Sequence, residues 1–148
     1  MVVPNVPITA PVTTARVRVE AVGNIFFDIT DTSFTLNVGS GGDVTPPQVT
    51  VFSPNGGEKL KPGRTYLLEW EAIDDIGVTT QEIRLSLDGA ETFDISIATG
   101  LAGTVQEFEF TPPASREYQT KQAVLRVIAE EAAGNSGSDD SDDFFRIK

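Results

Sequence analysis

"RTYLLEWEA" (Arg64–Ala72) decides the fold class of this chain. Tyr66, Leu68 and Trp70 fall on every second position, and Thr65, Leu67 and Glu69 fill the places between. A period of two puts the first set on one face of a pleated strand, whereas a helix needs apolar residues three and four apart. The stretch predicts a β-strand with one buried face. Trp70 reads as core on that face, with sugar stacking as its functional alternative.

The same alternation recurs outward from this strand. "QEIRLSL" (81–87), "VQEFEF" (105–110) and "ARVRVEA" (15–21) all repeat it. "AVLRVIA" (123–129) is apolar nearly throughout and reads as a central strand, and "QVTVFS" (48–53) as a short opening one. Glycine- and proline-rich turns separate them: "SPNGGE" (53–58), "KPG" (61–63), "LDGAE" (87–91), "TGLAG" (99–103) and "TPPAS" (111–115). Short strands at such spacing predict an all-β chain, with an immunoglobulin-like antiparallel β-sandwich over residues 48–148. "NVGSGGDVTPP" (37–47) reads as a boundary, so residues 38–47 are assigned as linker and 1–37 as a separate segment.

The totals narrow the chemistry. Of 148 residues, 22 are acidic and 11 basic, a formal net charge of −11. That field disfavours nucleic acid and anionic membranes as partners and suits solubility or cation binding. No apolar run is long enough to span a bilayer, so membrane insertion is not expected. The start "MVVPNVPITAPVTT" lacks the basic and apolar regions of a signal peptide. There is no cysteine and no histidine. Disulfides, thiolate chemistry, Ser-His-Asp triads and nearly all transition-metal sites are thereby excluded.

Two segments share one frame. "GNIFFDITDTSFTL" (23–36) and "GNSGSDDSDDFFRI" (134–147) align without gaps at Gly23/Gly134, Asn24/Asn135, Asp28/Asp139, Asp31/Asp142, Phe34/Phe145 and Leu36/Ile147. Upstream, "RVEA" (18–21) parallels "RVIA" (126–129), with three extra residues in the second copy. Residues 1–37 therefore predict the last two strands, the F–G hairpin, of a second and incomplete sandwich. Alone, such a hairpin is marginal in water and exposes Val17, Val19, Ile25, Phe26, Phe27, Ile29, Phe34 and Leu36. Two readings stay open: a piece of a tandem-domain parent, or an arm that adds strands to a neighbouring sheet.

"DVTPPQVTVFSPNGGEKLKPGRTYLLEWEAIDDIGV", "IRLSLDGAETF" and "LRVIAEEAAGN" resemble the Ig-like, fibronectin-III-like modules of secreted bacterial multidomain proteins. The "SPNGGE…G…W" opening also resembles the Kre9/Knh1-type extracellular domain of yeast cell-wall proteins. "ARVRVEAVGNIFFDITDTSFTL" is similar to the end of a β-sandwich that follows the catalytic domain of reprolysin-like secreted peptidases. The resemblance implies an exported, non-catalytic module, a spacer or an adhesion or binding domain, secreted or at the cell surface. Its implied partners are other domains of a longer chain, or copies of itself through strand addition, with a carbohydrate or protein ligand left unnamed. It implies no peptidase activity, because the chain has no His-Glu-x-x-His motif. The alternative function is a self-assembling, filament-like extracellular subunit in which residues 1–42 complete a neighbour's sheet. A carboxylate-dependent glycoside hydrolase is the remote one.

The candidate site follows from the fold. In an Ig-like sandwich the B–C and F–G loops lie at one end. Here they carry Asp74 and Asp75, and Glu130, Glu131, Asp139 and Asp140. These six carboxylates are the candidate ligands of a calcium ion, which takes oxygen donors, and a solvated acidic loop is the alternative. "SLDGAETF" (86–93) resembles an Asp-box, and a single copy reads as a hairpin braced by Asp88.

Overall fold

The computed structural model describes residues 12–20, 27–36 and 43–148. It divides into two units, Met1–Gly42 and Asp43–Lys148. The first holds β1 (Val12–Ala15), β2 (Arg18–Glu20), β3 (Phe27–Ile29) and β4 (Phe34–Leu36). The second holds β5 (Gln48–Ser53), β6 (Lys59–Leu60), β7 (Tyr66–Ile73), β8 (Val78–Ser86), β9 (Ile95–Ala102) and β10 (Glu107–Phe110). It continues with β11 (Thr120–Glu131), β12 (Ser136–Asp140) and β13 (Phe145–Ile147). A single 3₁₀ turn at Arg116–Tyr118 is the one helical element among the described residues. None of their helices is long and apolar enough to cross a membrane. Residues 1–11, 21–26 and 37–42, which include Gly23, Asn24, Ile25 and Phe26 of the repeat frame, lie outside the described residues.

The second unit is an all-β sandwich. One sheet has the order β10-β7-β5, and the other β6-β13-β11-β8-β9 with β12 also on β11. All pairs are antiparallel except β13 with β6, a short parallel one. The alternation of β7 becomes its burial pattern: Leu68, Trp70 and Ala72 face inward, while Leu67, Glu69 and Glu71 face water. They meet Ile83 and Leu85 of β8, Leu125 and Val127 of β11, and Phe145 and Ile147 across the core. Each such side chain fully buried contributes about 1.5–3 kcal/mol of transfer free energy. The Trp70 indole N–H donates to Gln81 Oε1 at 2.6 Å, so the one polar atom of the ring is satisfied inside the core.

Three expectations are corrected. "TGLAG" is not a turn, since Thr99–Ala102 belong to β9, an edge strand that pairs with β8. The sandwich begins at Asp43 rather than Gln48, so residues 43–47 of the expected linker belong to it. Pro47 is buried, and its carbonyl lies where a Cβ on Gly137 would sit, at 1.8 Å, so only glycine lets the entering chain lie on β12. The acidic run after Gly134 is not a loop either. Residues 136–140 form β12 along the second half of β11, and residues 145–147 form β13 along its first half.

The first unit repeats that last hairpin pair by pair. Val12↔Leu36 and Ala15↔Phe34 become Thr120↔Ile147 and Ala123↔Phe145 under offsets of 108 on the first strand and 111 on the second. Under the same offsets Arg18↔Ile29, Val19↔Asp28 and Glu20↔Phe27 become Arg126↔Asp140, Val127↔Asp139 and Ile128↔Ser138. The crossover between the two halves also matches. Thr30 N–H donates to Val17 O at 3.0 Å, as Ser141 N–H does to Leu125 O at 2.9 Å. The hydroxyls of Thr30 and Ser141 accept from the N–H groups of Val17 and Leu125. The covering differs: Val17, Val19 and Phe34 are 48 %, 66 % and 37 % exposed, against 0 %, 0 % and 1 % for Leu125, Val127 and Phe145.

Candidate metal centre

Three segments of the sandwich bring carboxylates together. The entering chain supplies Asp43 and the β7–β8 turn supplies Asp74 and Asp75, while Glu131 at the end of β11 is tied to Asp43 through Asn135. One oxygen each of Asp43, Asp74 and Asp75 lies within 4.8 Å of the others. Local structure fixes each group. Asp43 Oδ1 accepts the Thr45 N–H at 3.0 Å, just ahead of the rigid Pro46-Pro47 pair. Asp74 Oδ1 accepts the N–H groups of Ile76 and Gly77, both at 3.0 Å, in a turn that Gly77 closes with a φ of +99°. Glu131 follows Val127 and Ala129 on the inward face of β11, and Asn135 Nδ2 donates to its Oε1 and to the main-chain oxygen of Asp43.

This leaves one oxygen over on each of three groups. Asp43 Oδ2, Asp74 Oδ2 and Glu131 Oε2 are shielded from solvent and have no hydrogen-bond partner. Glu131 is only 2 % exposed. The protonation equilibria respond to this crowding. Burial pushes the Glu131 carboxyl above its ordinary range, and the charges of Asp43 and Asp74 add to the effect. Contact with the Asp43 carboxylate, followed by its charge, pushes Asp75 up. The Thr45 N–H holds Asp43 down. A carboxyl raised in the folded state holds its proton more tightly than in the unfolded chain. For Glu131 and Asp75 the resulting stability is complete below their ordinary values and is lost as pH rises through the raised ones.

Of the six expected ligands, the structure brings Asp74 and Asp75 together with Asp43 and sets Glu131 beside Asp43 through Asn135, and it sends the other three elsewhere. Glu130 lies on the outward face of β11 and is exposed. Asp139 Oδ2 accepts the Val51 N–H at 2.8 Å and so joins β12 to β5. Asp140 is taken by Arg126, with Nε–Oδ1 at 2.6 Å and Nη2–Oδ2 at 2.7 Å, and the guanidinium stacks 3.7 Å from the Phe93 ring centroid. The physical reason is that residues 136–140 pair as a strand, so their side chains go to strand neighbours instead of a loop. Asp43 was missed because it sits at the end of a glycine-rich run. Its signal was an aspartate two residues before Thr45 and the Pro-Pro pair, a turn-forming acceptor followed by a chain with fixed direction.

The Asp88 hairpin is as expected. Its carboxylate accepts from Ser86 Oγ at 2.6 Å, from Thr92 N–H at 3.0 Å and from Thr92 Oγ1 at 2.8 Å. These bonds, the Ser86 hydroxyl first, hold its pKa down at about 2. No protein-family model, no curated protein and no solved structure matches the chain.

Proposed function

We propose that residues 43–148 act as a non-catalytic, extracellular Ig-like module of a secreted or surface bacterial protein, a spacer or binding unit in series with other sandwiches. Residues 12–36 are then the closing hairpin of one such neighbour. The observation that carries this reading is the shared register of the two hairpins, including the Thr30/Ser141 hydroxyl bond at the crossover. A hairpin with this pairing presents Val17, Val19 and Phe34 to a core. In the second unit the equivalent face is closed by β8 alongside β11 and by the β10-β7-β5 sheet opposite. The resemblance of stretches within residues 43–135 to secreted modules supports the extracellular setting.

The uncovered side chains favour a second reading, strand donation to another copy. It is the weaker one because the sandwich of each copy already holds its own hairpin, β11 with β12 and β13, in that place. Light scattering coupled to size exclusion at low micromolar concentration separates them. The series-module reading expects a monomer. A filament or an interlocked oligomer would overturn it in favour of strand donation.

A further inference from the structure

We propose that Asp43, Asp74, Asp75 and Glu131 bind one calcium ion, which ties the entering chain to the β7–β8 turn and to the end of β11. The acidic cluster alone would not carry this, because exposed carboxylates commonly stand together without an ion. The independent observation is Glu131. Its side chain is 2 % exposed, it shares a face with the core residues Val127 and Ala129, and its Oε2 has no partner. A buried carboxylate oxygen without a donor is costly, and native structures nearly always provide a partner for it. Asp43 Oδ2 and Asp74 Oδ2 are in the same condition. In each of these three groups the second oxygen is engaged by N–H donors, which fixes the orientation of the free one. Asn135 is the positioning residue, since its one amide nitrogen donates to both Glu131 and the Asp43 main chain.

The described ion pairs are Arg84–Glu82 and Arg126–Asp140, and neither touches these four carboxylates. A donor set made wholly of oxygen, in a chain with no histidine or cysteine, selects a hard cation. Calcium fits better than magnesium. It accepts about six to eight oxygens at roughly 2.3–2.6 Å in irregular geometry, whereas magnesium demands a near-ideal octahedron at about 2.0–2.1 Å. Four carboxylates from three separate segments are irregular ligands, and water or main-chain carbonyls can fill the remaining positions. A surface cleft lined by Thr45, Pro46, Gln48, Ile73, Asp74 and Asp75 adjoins the cluster. The assignment does not depend on the series-module reading, because all four residues belong to the second unit.

The test uses the full chain stripped with a chelator, then titrated with calcium chloride by calorimetry and melted with and without the ion. One ion binds per chain, and the melting temperature rises by about 10 °C at a hundredfold excess over Kd. Glu131→Gln replaces the uncompensated charge with an amide of the same shape. It melts at or above the wild type in chelator and binds calcium at least about tenfold more weakly. Asp75→Asn, at an exposed position, keeps the chelated melting temperature within a few degrees and also loses about tenfold or more in affinity. Absence of binding heat and of any melting shift at millimolar calcium overturns the proposal. So does an equal response to magnesium, or an unchanged calcium affinity in Asp75→Asn.

Discussion

Replacing Trp70 by alanine lowers the unfolding free energy of the sandwich by about 3–5 kcal/mol. The ring is 1 % exposed and is the largest fully buried side chain, so its removal loses transfer free energy and leaves a cavity. It also disconnects Gln81. That glutamine is itself buried, accepts the indole N–H, and donates to Ala102 O at 3.0 Å and Val105 O at 2.8 Å. The network joins β7, β8 and the β9–β10 connection around one side chain. Trp70→Phe keeps most of the volume and strands the Gln81 oxygen, which costs about 1–3 kcal/mol. Urea unfolding followed by far-UV circular dichroism reads both variants, since Trp70 is the only tryptophan. The midpoint should fall with little change in slope. A loss below about 1 kcal/mol for the alanine variant would mean that the indole is not at the centre of this core.

The second large effect lies at Phe145, and its twin supplies the control. Phe145→Ala removes a ring that is 1 % exposed and costs the sandwich about 3–5 kcal/mol. Phe34 occupies the same register position in the first hairpin but is 37 % exposed. Phe34→Ala changes the main unfolding transition by no more than about 0.5 kcal/mol, the range of a surface substitution. Identical chemistry at equivalent positions thus gives two outcomes, and the difference is set by what lies over the ring. A large effect of Phe34→Ala on the same transition would show that this face is already buried in the chain as it stands.

Much of this fold was legible because strands buried on one face print a period of two. Tyr66, Leu68 and Trp70 gave β7, and Ile83 and Leu85 gave β8, close to their observed limits. β9 was not legible, because Thr99 and Gly100 interrupt "ISIATGLA" with residues that usually mark turns. β12 was harder still. "SGSDD" has no apolar residue, and it is a strand because β11 offers backbone partners along its whole second half. The site was half legible. Its two loops were found, but Glu130 and Glu131 were not told apart, although alternation from Val127 and Ala129 already places Glu131 inward and Glu130 outward. In the sequence Asp139 and Asp140 read as loop residues, and so as candidate ligands. Their actual partners, the Val51 N–H and Arg126, are distant in sequence and appear only once β12 lies between β5 and β11. The repeat, by contrast, was visible in the sequence frame, and the structure adds Thr30 and Ser141 to it, a match of function rather than of letter.

The central claim is that one hairpin design occurs twice, once with its apolar face covered by a sandwich and once with Val17, Val19 and Phe34 exposed. Native-state amide hydrogen exchange, read residue by residue on the full chain, tests it most directly. Leu125 and Ser141 make the same hydrogen bonds as Val17 and Thr30, so bonding geometry cancels and covering remains. The account predicts that Leu125 and Ser141 exchange only through global unfolding, with protection of about 10³-fold or more. Val17 and Thr30 should exchange within about tenfold of an unstructured chain, as expected of an isolated hairpin. Equal, strong protection of all four amides would contradict it.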